Sequence, residues 1–173
     1  MPALAHPPAV PLYTPAERAR RDATRWTLVQ GVLAPLQFLA FLVSLALVLR
    51  YLLLGEGLVA ASVSVVIKTL FLYAIMVTGA IWEKRVFGVW LFARPFFWED
   101  VFSMAVIALH TAYLVALAGG ALGARGQMLL ALAAYATYVI NAGQFLRKLR
   151  MARREAPPAS GPAAAARPAG AGA

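Results

Sequence analysis

The 173-residue sequence contains no cysteine, and this absence removes several classes of chemistry. Disulfide frameworks, cysteine-ligated zinc, iron–sulfur clusters and thiol catalysis all require a thiol. Histidine is scarce, with only His6 and His110, so a haem held by two histidines is not expected. A phosphate-binding glycine loop and the motifs G-x-S-x-G and H-E-x-x-H are also missing. The sequence therefore gives no support to these enzyme classes.

Charged residues make up only 13% of the chain, about half the usual share, whereas 62% of the residues are hydrophobic. Four apolar runs are each close to the roughly 20 residues that span a bilayer. They are residues 28–49, 58–81, 101–122 and 128–146. The pattern predicts an all-α polytopic membrane protein, with a four-transmembrane-helix bundle over residues 26–150.

The two ends of the chain have a different composition from the runs. Residues 1–25 are predicted to form a disordered tail followed by a short basic helix. Thr14, Pro15 and Glu17 form a capping-box pattern at the start of that helix. Residues 151–173 are rich in Ala, Pro and Gly and are predicted to be a disordered tail.

The formal net charge of +9 is distributed unevenly. Thirteen of the 16 Lys and Arg residues lie in the two tails and in the connector between the second and third runs, whereas only Arg50 and Arg125 flank the opposite ends. The positive-inside rule then predicts that both termini are cytoplasmic. Topology and anionic lipid account for the basic residues, so no nucleic-acid partner is expected.

Polar residues recur at helical spacing along one face of each run. The four faces hold Gln30, Gln37, Ser44 and Tyr51; Ser64, Lys68, Phe71, Ile75, Thr78 and Trp82; Glu99, Ser103, Val106, His110, Tyr113 and Leu117; and Tyr138, Asn141 and Phe145. Four such stripes predict a bundle whose polar groups face inward. They serve either as helix-to-helix hydrogen bonds, worth about 1 kcal/mol each, or as parts of a ligand site.

Lys68 and His110 are ionisable residues inside the runs. Such a group at mid-bilayer costs at least about 2.5–3.5 kcal/mol and is a functional candidate by default. At about 1.5 Å per residue, His110 lies about 15 Å and Lys68 about 21 Å from the connector boundary, with Gln37 at about 13 Å. Lys68 is either neutral or extended outward, and His110 is either a hydrogen-bonded buried histidine or a metal ligand.

The connector at residues 83–100 combines aromatic and acidic side chains. Its aromatic residues are Phe87, Trp90, Phe92, Phe96, Phe97 and Trp98. Such a segment is either an interfacial aromatic belt or the lid or floor of a pocket for a flat apolar ligand. Glu99 and Asp100 either complement the dipole of the third helix or, like Glu83, hold a proton for general-acid catalysis.

Seven sequence blocks lie within residues 13–154, and two of them, which contain Trp82-Glu83-Lys84 and Phe96-Phe97-Trp98-Glu99-Asp100, are not generic membrane sequence. They are Tyr13-Thr14-Pro15-Ala-Glu17-Arg18, Trp26-Thr-Leu-Val-Gln30-Gly31-Val-Leu-Ala-Pro35, Val48-Leu-Arg50-Tyr51, Thr78-Gly79-Ala-Ile-Trp82-Glu83-Lys84, Phe96-Phe97-Trp98-Glu99-Asp100-Val101, Ala108-Leu109-His110-Thr111-Ala-Tyr113 and Asn141-Ala-Gly-Gln144-Phe145. Together they resemble the 2-vinyl bacteriochlorophyllide hydratase family. The two tails lie outside the resemblance.

The resemblance implies a hydro-lyase that converts the C3-vinyl group of chlorophyllide a to a 1-hydroxyethyl group in bacteriochlorophyll biosynthesis. It implies a multi-pass protein of the bacterial inner membrane, either cytoplasmic or photosynthetic intracytoplasmic, beside other bacteriochlorophyll-synthesis enzymes. Acid-catalysed addition of water needs a proton donor and a base, so no cofactor is expected beyond the magnesium of the substrate. The alternative is a non-enzymatic pigment carrier or assembly factor for photosynthetic complexes.

Depth and chemistry, rather than the resemblance, suggest the roles of single residues. Glu99 or Glu83 is the predicted proton donor, and Asp100 is the predicted base or water-orienting partner. The predicted substrate-binding residues are His110, Gln37, Tyr113, Lys84, Arg85, Trp82, Trp98 and Asn141. Among these, His110 is the predicted axial ligand of the substrate magnesium, and Lys84 or Arg85 is predicted to pair with the substrate's propionate.

Overall fold

The computed structural model describes residues 11–154, and five α-helices occupy most of this range. They are α1 (Pro15–Ala23), α2 (Arg25–Leu54), α3 (Leu58–Phe87), α4 (Phe97–Gly119) and α5 (Ala124–Arg154). A short 3₁₀ turn, Arg94–Phe96, precedes α4, and no strand occurs within residues 11–154. The long helices α2 to α5 are sufficiently long and apolar to cross a membrane, which confirms the predicted four-span all-α fold. The predicted disorder at residues 1–10 and 155–173 lies outside the described residues.

Helix α1 begins with the capping box that the sequence predicts. The backbone N–H of Glu17 donates to Thr14 Oγ1 at 3.3 Å, and the backbone N–H of Thr14 donates to Glu17 Oε2 at 2.7 Å. This backbone hydrogen bond lowers the pKa of the Glu17 carboxyl below its usual value. The cap stabilises the first turn of α1, and Arg20 Nε attaches α1 to α3 by donating to the carbonyl of Val86 at 2.7 Å.

Replacement of Thr14 by alanine tests this cap. We expect Thr14→Ala to destabilise α1 by about 0.5–2 kcal/mol and to raise amide deuterium exchange in residues 15–23, with little change in α2 to α5. Thr24→Ala is the matched control, because Thr24 precedes α2 but makes no side-chain capping bond. Equal exchange in the two variants would contradict a stabilising role for the Thr14 cap.

The four long helices form two hairpins, α2–α3 and α4–α5. In the first, Gln30 Nε2 donates to Thr78 Oγ1 at 2.7 Å, and the chain reverses after Gly55, whose left-handed φ of 74° suits glycine. In the second, Asn141 Nδ2 donates to Ser103 Oγ at 2.8 Å. Each helical hairpin is thus held by hydrogen bonds between its own two helices.

Both termini of the described chain lie at one end of the bundle. At this end, α1 contacts α3, and Lys148 Nζ near the end of α5 donates to the carbonyl of Pro95. We call it the connector end, because residues 88–96 cross it between α3 and α4. The cytoplasmic location predicted for this end rests on the distribution of the basic residues.

The predicted inward stripes largely match the buried residues. Gln37, Ser44, Lys68, Glu99, Ser103, His110, Tyr113, Tyr138 and Asn141 are all buried. In contrast, Leu28, Leu53, Leu70 and Val115 are more than half exposed, as expected for side chains that face lipid. The core consists of apolar residues interleaved with these polar ones, including Phe41, Val65, Val106 and Tyr135.

Two details of the predicted pattern need correction. Leu117 on α4 and Phe145 on α5 do not continue the inward stripes of their helices, since they are 40% and 41% exposed. The connector is also shorter than residues 83–100, because α3 continues to Phe87 and α4 begins at Phe97. Glu83 and Asp100 are therefore helical residues that face each other beneath a short non-helical segment.

Candidate active site

A pair of buried carboxyl groups lies at the connector end. Glu83, in the last turns of α3, and Asp100, in the first turn of α4, are only 5% and 4% exposed. Two consecutive backbone amides each donate to one of these carboxyl groups, so the two groups are neighbours. Two adjacent negative charges are unfavourable in a buried site, which favours a state with one proton shared between the two carboxyl groups. The pair is therefore a candidate site for an exchangeable proton.

Two consecutive backbone amides hold the carboxyl pair in place. The N–H of Phe92 donates to Asp100 Oδ2 at 2.7 Å, and the N–H of Ala93 donates to Glu83 Oε2 at 3.1 Å. Phe92 adopts φ 61°, a left-handed conformation that is unfavourable for a bulky residue. The hydrogen bond to Asp100 compensates part of that strain. Strained residues of this kind are concentrated at functional sites.

Glu99 faces a different partner from its neighbour Asp100. Its carboxylate lies 3.7 Å from Lys148 Nζ, and Glu99 is only 2% exposed. Lys148 also donates to Pro95, so it links α5 to the connector. Lys148 was not among the predicted site residues, although its position seven residues after Asn141 places it beside the inward stripe of α5. The three predicted acids thus separate into a carboxyl pair and an ion pair.

Aromatic side chains surround this end of the bundle in two sets. One set, the inner aromatic cluster, consists of Tyr13, Trp82, Phe87, Phe96 and Phe145. Neighbouring ring centroids in it are about 6 Å apart, with 5.7 Å for Trp82–Phe96 and 6.3 Å for Phe96–Phe145. The other set, the outer set, is exposed and consists of Trp90, Phe92, Phe97 and Trp98. The inner cluster stabilises the connector, whereas the outer set presents flat apolar surface to lipid or ligand.

A basic surface pocket of about 400 Å³ lies where α1 and α2 meet the end of α3. Its lining includes Arg20, Arg25, Trp26 and Arg85. Lys84, the other predicted partner of the propionate, instead donates to the carbonyl of Gly88 at 2.8 Å. Arg20 and Arg25 were not among the predicted site residues. The pocket combines three guanidinium groups with an aromatic wall, which suits a carboxylate or a phosphate.

Lys68 and His110 meet deep in the bundle, and both are fully buried. His110 Nδ1 donates to the carbonyl of Val106 at 2.8 Å, so the other ring nitrogen, Nε2, accepts from Lys68 Nζ at 2.8 Å. Lys68 Nζ also lies 4.1 Å from the ring centroid of Tyr138. Lys68 therefore points inward, which excludes the alternative that its side chain extends outward to the interface.

The predicted magnesium ligand has no free ring nitrogen in this geometry. Ligation by His110 would require Lys68 Nζ to move away from Nε2. Within residues 11–154, no group of three His, Asp or Glu side chains is arranged to hold a metal ion. Gln37, Tyr113 and Asn141 are buried in the bundle interior, whereas Trp98 is 66% exposed at the connector end. The predicted residues thus divide between the connector end and the bundle interior.

Comparison with known proteins identifies chains of the same kind. The family model of the 2-vinyl bacteriochlorophyllide hydratases matches residues 13–151. The chain is 71% identical over 149 residues to the 2-vinyl bacteriochlorophyllide hydratase of Cereibacter sphaeroides, covering 84% of this chain and 92% of the relative. It is 72% identical over 145 residues to the protein of that name from Rhodobacter capsulatus, covering 84% of each. No solved structure matches the chain.

Proposed function

Since the chain belongs to the 2-vinyl bacteriochlorophyllide hydratase family, we propose that it performs its hydration at the buried carboxyl pair of Glu83 and Asp100. Family membership makes the chain a hydro-lyase of bacteriochlorophyll synthesis with a tetrapyrrole substrate. The proposed reaction converts the C3-vinyl group of chlorophyllide a to a 1-hydroxyethyl group. The observation that supports the site is the burial of two neighbouring carboxyl groups on adjacent backbone amides, an arrangement that favours one proton shared between them.

The carboxyl pair accounts for each proton in the reaction. Its proton moves to the terminal vinyl carbon, and the positive charge that forms on the adjacent carbon is spread over the conjugated macrocycle. Water attacks this cation, and the pair, now without a proton, accepts the extra proton of the attacking water. The net change is addition of one water molecule. No electrons are transferred, so the reaction needs no redox cofactor, and magnesium enters only as part of the substrate.

The surroundings of the pair fit a flat anionic pigment. Phe97 and Trp98 offer exposed aromatic surface beside the acidic first turn of α4. We place the substrate's propionate in the basic pocket of Arg20, Arg25 and Arg85, where guanidinium groups bind a carboxylate with charge-assisted hydrogen bonds. In this arrangement the carboxylate stays at the membrane interface while the vinyl group enters the bundle.

Turnover of chlorophyllide a by the purified protein in detergent tests the proposed reaction. We expect a product heavier by one water, with the red absorption band shifted to the blue because the vinyl group leaves the conjugated system. In heavy-oxygen water the product should gain the isotope at the new hydroxyl. Tight pigment binding without any heavier product would contradict the proposal and support a carrier.

The chain is a multi-pass membrane protein, and we further propose that its connector end faces the cytoplasm of a bacterial inner membrane, with other enzymes of the pathway as neighbours. The proposal is based on the 13 basic residues at this end against two at the other.

Because the chain has no cysteine, single replacements report on topology directly. In intact spheroplasts, an impermeant maleimide should label Glu56→Cys and not Arg153→Cys, and in inverted vesicles the reverse. The opposite labelling would overturn the orientation.

A further inference from the structure

Among residues 11–154, four buried side-chain oxygens have no hydrogen-bond partner within the protein, and two of them are amide oxygens of buried residues inside the bundle. They are Gln37 Oε1 on α2 and Asn141 Oδ1 on α5, in residues that are only 3% and 6% exposed. A buried acceptor that makes no hydrogen bond costs about 1–3 kcal/mol, and native proteins satisfy such groups with water when no side chain does so. These oxygens therefore point to a ligand that donates hydrogen bonds.

The helix register places the two oxygens in one layer. The rings of Phe41 on α2 and Tyr138 on α5 are in contact, with centroids 4.9 Å apart. Gln37 precedes Phe41 by four residues and Asn141 follows Tyr138 by three, on helices that run in opposite directions. At about 1.5 Å per residue, both lie about one turn nearer the connector end than the aromatic contact. Both are buried, so they face the same interior space.

The surrounding groups fix the direction of these oxygens. Asn141 Nδ2 donates to Ser103 Oγ at 2.8 Å, and Ser103 in turn donates to the carbonyl of Glu99 at 2.8 Å. The amide nitrogen of Asn141 is therefore committed to α4, which leaves Oδ1 directed at the interior. On the inner side of the layer, Lys68 Nζ lies over the ring of Tyr138 and uses one N–H for His110. At least one further N–H of Lys68 remains for another acceptor.

We propose that Gln37, Asn141 and Lys68 form a water-binding site inside the bundle, and that this site stores the water consumed in the hydration. Two acceptors and one donor match the three hydrogen bonds that a buried water usually makes. The hydrogen bonds that run from Asn141 Nδ2 through Ser103 end at the backbone carbonyl of Glu99, the residue that precedes Asp100 of the carboxyl pair. The role in the reaction rests on the proposed function, whereas the binding of water does not.

Infrared difference spectroscopy of the purified protein detects this water without any turnover. A buried, weakly bonded water gives a sharp O–H stretching band that shifts when the solvent is exchanged for heavy-oxygen water. We expect the band in the unaltered protein, its loss in Gln37→Met and in Asn141→Leu, and its retention in Gln30→Met. Gln30 is the matched control, because its amide is bonded to Thr78 outside this layer. Absence of the band in the unaltered protein, or its persistence in both layer variants, would overturn the water site.

Turnover of the same variants tests the link to the reaction. We expect Asn141→Leu to lower kcat at least tenfold while KM for chlorophyllide changes little, because the pigment-binding surface is unaltered. Loss of the infrared band with unchanged kcat would overturn the storage role. A protein that shows the band but never hydrates chlorophyllide would instead refute the proposed reaction, so the two failures are distinguishable.

Discussion

Asp100→Asn should lower the rate of hydration about 100- to 10,000-fold while chlorophyllide binding persists. Asparagine keeps an oxygen for the N–H of Phe92 and an N–H for Glu83, so the geometry of the pair survives. It has no proton to transfer at neutral pH, and loss of general-acid catalysis typically has this magnitude. Single-turnover absorption measurements separate the rate of hydration from the binding of the pigment.

Glu83→Gln is expected to lower the rate of hydration by a similar factor, because both members of the pair are needed to share the proton. The matched control is Glu56→Gln, which removes an exposed carboxylate paired with Arg50 at the opposite end of the bundle. This variant should retain full turnover. Full turnover in both Asp100→Asn and Glu83→Gln would show that the carboxyl pair is not the proton donor, and Glu99 would then be the acid to test.

His110→Leu should lower the free energy of unfolding by about 2–4 kcal/mol. The substitution leaves Lys68 Nζ fully buried without its imidazole acceptor, and an unsatisfied buried donor costs more than the hydrogen bond that it replaces. Unfolding in mixed detergent micelles, followed by circular dichroism, measures the difference. Because both ring nitrogens of His110 are engaged inside the protein, we also expect the affinity for chlorophyllide to change little.

The double variant Lys68→Met with His110→Leu provides the control for this interaction. Replacing both partners by apolar groups removes the unsatisfied donor, so the double variant should recover most of the stability that His110→Leu loses. Strictly additive losses would show that the two side chains do not depend on each other. A large fall in pigment affinity in His110→Leu would favour the magnesium-ligand interpretation instead.

The number of helices and their inward faces were predictable from the sequence, because both depend on local periodicity. Gln37 and Ser44, seven residues apart on α2, are both buried, as are His110 and Tyr113 on α4. Burial of these faces follows from the cost of exposing polar groups to lipid. The capping box of Thr14 and Glu17 was predictable for the same reason, since all of its atoms lie within four residues.

Contacts between helices were not predictable from these patterns. Lys68 and His110 were assigned to different depths, whereas their side chains meet at 2.8 Å, because periodicity does not fix the axial offset of one helix against another. The separation of Glu99 from Asp100 depends on Lys148, a residue 49 positions further along the chain. The two backbone amides that bind the carboxyl pair are positioned by the left-handed conformation of Phe92, and a phenylalanine in the sequence does not predict that conformation.

The division of the bundle into two hairpins has a consequence for how the protein is made. Glu83 belongs to the first hairpin and Asp100 to the second, and the amides that hold them come from the segment between the two. A nascent chain with only its first hairpin in the membrane therefore carries one isolated carboxyl group and no shared proton. At the proposed site, the acid is completed only when the second hairpin docks, so assembly of the bundle and the onset of the proposed catalytic activity should coincide in a single step.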